Sequence, residues 1–292
     1  MRKIKELIIE KSLFSSALIT VAITFGIISV LAFEAVIFFK EVSIFDFFTD
    51  TQWTPLFTDK HYGILPLLSG TLLTSFIAIS VALPIGLSIS IYLSEYAPKS
   101  FRKTIKPLLE LLAAVPTVVY GFFALIVVTP FLQGLLPGLS GFNSLSAGFV
   151  MGIMIIPYIS SISEDALYAV PKELREASYG MGATKLQTAF KVVVPAASSG
   201  IIVSIILAIS RAIGETMIVA IAAGQQPRLT FDPTVPVETI TAYIVQVSLG
   251  DVQHGSIEYR TIFAAGITLF VFTFLLNTLS YSIRKKYQEK YE

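Results

Sequence analysis

Long apolar stretches separated by short polar ones organise this chain. They occupy residues 13–39, 65–93, 108–132, 145–163, 196–223 and 261–283. A helix needs roughly 20 apolar residues to cross a bilayer, so the pattern predicts an all-α integral membrane protein with about six transmembrane helices. Pro116, Pro130, Pro137 and Pro157 fall in or between the third and fourth stretches, which are joined by the uncharged connection GLLPGLSGFNS. Neighbouring helices can satisfy the backbone groups that such prolines free. Pro84, Pro116 and Pro157 are read as packing kinks.

Charge orders the connections. Lys and Arg gather in the N-terminal tail (Arg2, Lys3, Lys5, Lys11), the second connection (Lys99, Arg102, Lys103, Lys106), the fourth (Lys172, Arg175, Lys185, Lys191) and the C-terminal tail (Arg284, Lys285, Lys286, Lys290). The other connections hold Lys40, Lys60, Arg228 and Arg260. Basic residues accumulate on the cytoplasmic side, so an even number of spans with both termini cytoplasmic is expected. The first apolar run is too long for a signal-peptide core and lacks an A-x-A-like cleavage site, so it reads as a retained helix. Composition agrees: 54% hydrophobic and 14% charged residues, with a mean hydropathy of +0.76, exclude a soluble α/β domain, whose charged share is about 25%. There is no cysteine, hence neither a disulfide framework nor a thiolate metal site.

The basic connection VPKELREASYGMGATKLQTAFKVVVP predicts two short helices. The first starts at Pro171 and stops at Gly180; the second starts at Thr184, with Gln187 at capping-box spacing. Small residues at Ala177, Ser178, Gly180, Gly182 and Ala183 keep its tip low, which lets another protein approach the backbone. A plain structured loop capping the bundle is the other reading of this pattern. Glu176-Ala177-Ser178, then Gly182, then Val192 and Val194-Pro195 resemble the E-A-A, G and I-x-L-P positions of the signature loop in membrane subunits of ATP-binding-cassette importers. Serine and valines are mild departures from that pattern. The resemblance implies a type I ABC importer permease fold and a coupling helix seated on an ATPase, with Glu176 supplying charge to the docking surface and Gly182 the turn.

From about Tyr62 onward, GILPLLSGTLLTS, IYLSEYAPKSFRK, ELLAAVPTVVYGF and SRAIGETM together resemble the PstC-type permeases of phosphate-specific importers. PstA-type permeases share the R-x-x-G-E-T element, and sulfate or molybdate permeases share the coupling loop. The resemblance implies a subunit that forms the phosphate path with a second, PstA-like permease. It also implies a PstB-like ATPase dimer carrying ATP and Mg, an extracytoplasmic PstS-like phosphate-binding protein, and a place for this chain in the lipid of a bacterial-type inner membrane. No cofactor, metal, nucleic acid or catalysis is expected of this chain. Residues 1–60 read as a cytoplasmic tail, first helix and outer loop, and 61–292 as the permease core with its coupling loop at 164–195. GMGATK lacks the spacing of a phosphate-wrapping P-loop, so an ATP-driven mechanism requires another polypeptide. The other transporter class, an ion-driven secondary transporter, often shows internal repeats, and none is detectable.

Within SRAIGETMIVA, Arg211 and Glu215 lie one helical turn apart on one face. An arginine in mid-span costs about 2.5–3.5 kcal/mol on the insertion scale, which a surface i,i+4 pair worth about 0.2–0.5 kcal/mol cannot offset. The pair must face a bundle interior, a wet path or another subunit. Arginine's planar fork matches two phosphate oxygens, and Glu215 can accept a hydrogen bond from protonated phosphate where a sulfate dianion would be repelled. Ser210 and Thr216 are the accompanying polar candidates. A static ion pair locking helices together is the competing reading. His61 and His254 are expected at the solvated outer surface, and Phe47, Phe48, Trp53 and Phe57 at the outer membrane interface. VETITAYIVQVSLGD is expected to form a short amphipathic helix that meets a delivering receptor, and IKELIIEK an amphipathic turn or two along the inner surface.

Overall fold

The computed structural model describes residues 2–287, with side chains described for 6–279 and 282. Lys290, assigned above to the inner tail, lies outside the described residues. The first apolar run forms a single helix, α1 (Arg2–Glu41). At 1.5 Å per residue it is about 60 Å long, twice a hydrocarbon core of about 30 Å. IKELIIEK is therefore the first part of a continuous helix and not a separate turn along the surface, because nothing between Arg2 and Glu41 breaks the helical pattern.

After α1, Ser43 caps α2 (Ile44–Thr49) and a loop leads to α3 (Leu65–Ile91), which ends in a π-helical turn at Tyr92–Tyr96. Next comes α4 (Lys99–Ala113), an amphipathic helix with Lys99, Arg102, Lys103, Lys106 and Glu110 on its polar side. The third span thus begins at Thr117 and not near residue 108. Pro116 is extended, with φ −58° and ψ 133°, and proline disfavours helix at the residue before it, so the chain breaks between Ala114 and Pro116. The span itself is α5 (Thr117–Phe123), a π-helical turn at Ala124–Val128, and α6 (Thr129–Leu135). Asn143 Oδ1 accepts the Ser146 N–H at 2.7 Å, starting α7 (Ser144–Tyr168).

The loop helices are α8 (Lys172–Gly180) and α9 (Lys185–Thr188). A π-helical turn at Ala189–Val193 and α10 (Val194–Ala196) follow. The chain then bends by 72° into α11 (Ser198–Ile213). The fifth apolar stretch, expected as one span over 196–223, is broken again beyond Ile213 and resumes as α12 (Met217–Ala222). Last come α13 (Ile240–Leu249) and α14 (Ile257–Tyr287). Among the described residues, five helices are long and apolar enough to span a membrane, or six if the bent pair is one span. Among the described residues there is no β-strand, only isolated bridges at Trp53–Tyr62 and Gly224–Val237.

The core centres on α3 against α7. Gly148 and Gly152 lie one turn apart on α7. A Cβ on Gly148 would sit 2.7 Å from Ile77 Cβ, and one on Gly152 2.8 Å from the Ala78 carbonyl oxygen and from Val81 Cβ. Lipid gives apolar helices no hydrophobic reason to associate, so close backbone approach at small residues supplies the contact energy. Buried Ser163 and Ser204 share a 2.6 Å hydroxyl bond that ties α7 to α11.

The two ends of the bundle differ. At one, Ser69 Oγ donates to the Arg228 carbonyl at 3.1 Å and Ser144 Oγ to the Pro233 carbonyl at 3.1 Å. Lys60 pairs with Glu258, and Arg260 reaches Glu34 and Glu41 at 3.3 and 3.4 Å. The other end carries the basic connections. Trp53 and Phe47 belong to the core of the first end and not to a membrane-facing belt: Trp53 packs edge-on against Tyr243 at 5.0 Å, while Phe48 and Phe57 are exposed. The loop folds back over α13, which hides the indole. α13 itself is apolar, with its N-terminal half buried and the Ile240 N–H bonded to Thr71 Oγ1 at 3.1 Å, so it is packed into the bundle and is not a surface amphipathic helix. His61 is half-buried against Asp50 at 2.8 Å, and His254 is exposed beside Tyr259.

Candidate functional site

Gly214 ends α11, and the chain passes through Glu215 and Thr216 before α12 begins. A helix start leaves backbone N–H groups without intrahelical partners. Glu215 fills that need: its Oε1 accepts from the N–H of Met217 at 3.1 Å and of Ile218 at 3.3 Å. Its Oε2 meets Arg211 Nη1 at 2.7 Å in an ion-pair contact not aligned as a hydrogen bond, and lies out of reach of solvent. The Glu215 carbonyl accepts from Thr241 Oγ1 at 2.6 Å, which fastens the break to α13. Arg211 Nη2 also approaches Met154 Sδ on α7 at 3.7 Å.

Arg211 and Glu215 therefore meet within this chain, and they differ in access. The Glu215 side chain is 2% exposed and that of Arg211 32%. A guanidinium has five N–H donors, so Arg211 retains donors for an anion after these contacts. Both oxygens of Glu215, by contrast, are held by this chain. Ser210 Oγ donates to Asn277 Oδ1 at 3.0 Å and Thr216 Oγ1 to the Gly214 carbonyl at 3.3 Å, so neither hydroxyl joins the ion pair.

A second site stands at the basic end. The Thr184 capping box forms with both its bonds: the Gln187 N–H donates to Thr184 Oγ1 at 3.3 Å, and the Thr184 N–H to Gln187 Oε1 at 2.9 Å. Between the helices Gly182 takes φ +83°, a conformation that favours glycine. Ser178 and Thr188 share a 2.9 Å hydroxyl bond across the turn. Glu176 and Ala177 are exposed, and Met181 is 90% exposed, with Tyr179, Leu186 and Phe190 also presenting large apolar surface. A shallow groove of about 490 Å³ is lined by Ala177, Ser178, Met181, Gly182 and Gln187. Exposed large apolar side chains gathered in one connection are a feature of interaction sites.

Two charge clusters anchor this end, and sequence reading passed over both. Arg175 of α8 reaches Glu95 in the π-helical turn after α3 at 2.8 Å and donates to the carbonyls of Val170 and Leu167 at 2.6 and 2.8 Å. Buried Glu164 on α7 pairs with Arg102 and Lys106 of α4, and Lys106 also pairs with Asp165. Burial opposes the charge of Lys106, but its bonds to Asp165 and Glu164 outweigh that and raise its ammonium above the usual lysine range. The Arg102 guanidinium lies 3.8 Å from the centre of the Tyr168 ring. In sequence Arg175 was visible only as one more cation of a basic loop.

The sequence profile of the family described as "Binding-protein-dependent transport system inner membrane component" matches residues 82–290. The chain belongs to that family. Among curated permeases, "Probable ABC transporter permease protein YqgH" of Bacillus subtilis is 37% identical over 234 residues, covering 80% of this chain and 75% of that one. "Phosphate transport system permease protein PstC" of Mesorhizobium japonicum is 37% identical over 251 residues, covering 80% and 76%. In fold, the permease is similar to a solved bacterial ABC transporter for alginate import, at TM-score 0.65 and 17% identity, over 99% of this chain and 100% of that one. The matched residues include both the Thr184 turn and the Arg211 break.

Proposed function

We propose that this permease forms half of the phosphate path in an ATP-driven importer. The observation that carries the reading is Arg211, held at a break between two helices by a buried glutamate while a third of its side chain stays open. Similarity to PstC permeases supports phosphate as the anion. Partners follow from the same likeness: a PstA-like second permease, a PstB-like ATPase dimer carrying ATP and Mg, and a PstS-like binding protein outside a bacterial-type inner membrane. The basic end with the coupling loop faces the cytoplasm, as do both termini, in accord with the distribution of Lys and Arg.

Within this reading Arg211 contacts the anion, and Glu215 is a positioning residue that aims it. An anion that meets one partly compensated arginine is bound weakly, which suits a site that must also release. Ser210 and Thr216 border the path. The test is competition in cells that depend on this chain: unlabelled phosphate should suppress radiolabelled phosphate uptake, and sulfate or molybdate in equal excess should not. Suppression by sulfate alone would move the assignment to another oxyanion.

A further inference from the structure

Glu238 takes no part in the Arg211 site or in the ion pairs of the basic end. It is 2% exposed, yet its Oε1 has no hydrogen-bond partner, and no ion pair involves it among the described residues. A buried charge normally has a partner, because desolvation penalises it heavily. Burial pushes the Glu238 carboxyl up to about 8. The backbone on either side is pinned: the Val237 N–H donates to the Ala223 carbonyl at 3.0 Å and the Ile240 N–H to Thr71 Oγ1 at 3.1 Å. A Cβ on Gly70 of α3 would lie 2.2 Å from the Glu238 carbonyl oxygen, so the segment packs backbone to backbone against α3. The carboxyl is held in the wall of a cavity of about 170 Å³, lined also by Trp53, Phe57, Gln226, Tyr243 and Gln246. These residues come from the loops at the end opposite the coupling loop.

We infer that this cavity is a receptacle for one lysine or arginine side chain presented by the extracytoplasmic binding protein. Its size excludes a drug-sized ligand, which needs about 300 Å³ or more, but suits a single long side chain. A largely apolar and aromatic lining with one carboxyl in its wall matches an aliphatic stem ending in a cation. A resident metal does not fit, since hard cations take six or more oxygens and the described residues hold no cluster of three or more His, Cys, Asp or Glu. At the rim, exposed Arg228 is turned to Gln226 Oε1 at 2.8 Å and is the intramolecular competitor. The inference rests on the binding-protein-dependent reading but not on phosphate as cargo.

The experiment uses the complete transporter in nanodiscs and measures affinity for its binding protein. Wild type must bind; if it does not, the functional reading fails and not this inference. Glu238→Gln, nearly isosteric, should weaken binding about tenfold or more with basal ATPase activity unchanged. A double-mutant cycle against the lysines and arginines of the binding protein should then find one residue whose removal costs little further in the Glu238→Gln background. Unchanged affinity in Glu238→Gln would overturn the inference and leave a water-filled cavity. So would coupling to no binding-protein cation, or loss reproduced by Arg228→Gln, which would make Arg228 the occupant.

Discussion

At the residue scale, Arg211 and Glu215 divide their work by exposure. Removing a hydrogen bond to a charged group costs about 1.5–3 kcal/mol, so Arg211→Ala should slow phosphate flux by about ten- to a hundredfold. Arg211→Lys keeps the charge but loses the fork and should recover only part of it, measured as uptake at matched membrane levels. His61 and Asp50 give a pH signature at the end opposite the basic connections. The Asp50 hydrogen bond raises the His61 pKa above 6.5. For Asp50 burial works upward, but bonds from His61 and the Gln52 N–H win and lower it below 3.8. The stabilisation from His61 is full below pH 6.5 and fades as pH rises through its higher folded value; that from Asp50 is full above 3.8 and fades as pH falls through its lower one. Melting of the purified complex should therefore lose more stability between pH 6 and 8 in wild type than in His61→Gln; equal losses would refute the contribution.

At the element scale, two contacts decide whether helices move as units. Gly148 and Gly152 let α7 touch α3, and a side chain there overpacks the seam at about 1–3 kcal/mol. Gly152→Leu should lower the melting temperature of the purified complex, whereas Gly138→Ala, at a position where a Cβ meets nothing within 4 Å, should not. Arg175 with Glu95 fastens α8 to the end of α3. Breaking a buried pair costs about 3–5 kcal/mol, so Arg175→Ala should leave ATP hydrolysis running while transport per ATP falls severalfold, and a constant ratio would show that the anchor does not transmit. Much of this scale was legible, because apolar run length places spans and the Thr184–Gln187 spacing placed a helix start. The break after Ile213 was not: an i,i+4 ion pair reads as continuous helix, and only the hydrogen bonds of Glu215 to the next helix reveal the interruption. The start of the third span was misplaced for a related reason, since the apolar side of amphipathic α4 runs into the apolar span beyond Pro116.

At the scale of the whole molecule, the permease has two chemically different ends joined by a tightly packed α3–α7 core. The basic end presents a loop with exposed large apolar side chains, and the opposite end buries aromatic residues and, among the described residues, a carboxyl without an ion-pair partner beneath its loops. Trp53 and Glu238 were illegible in sequence because their burial depends on distant segments: the indole on α13, and the glutamate on the close approach of α3 at Gly70. In the proposed function phosphate crosses past Arg211. The most direct measurement is ATP-driven uptake of radiolabelled phosphate into proteoliposomes holding the complete transporter, with wild type compared with Arg211→Ala at equal incorporation. Uptake should fall at least tenfold with the binding protein still docking; undiminished uptake by Arg211→Ala would rule out a path past Arg211.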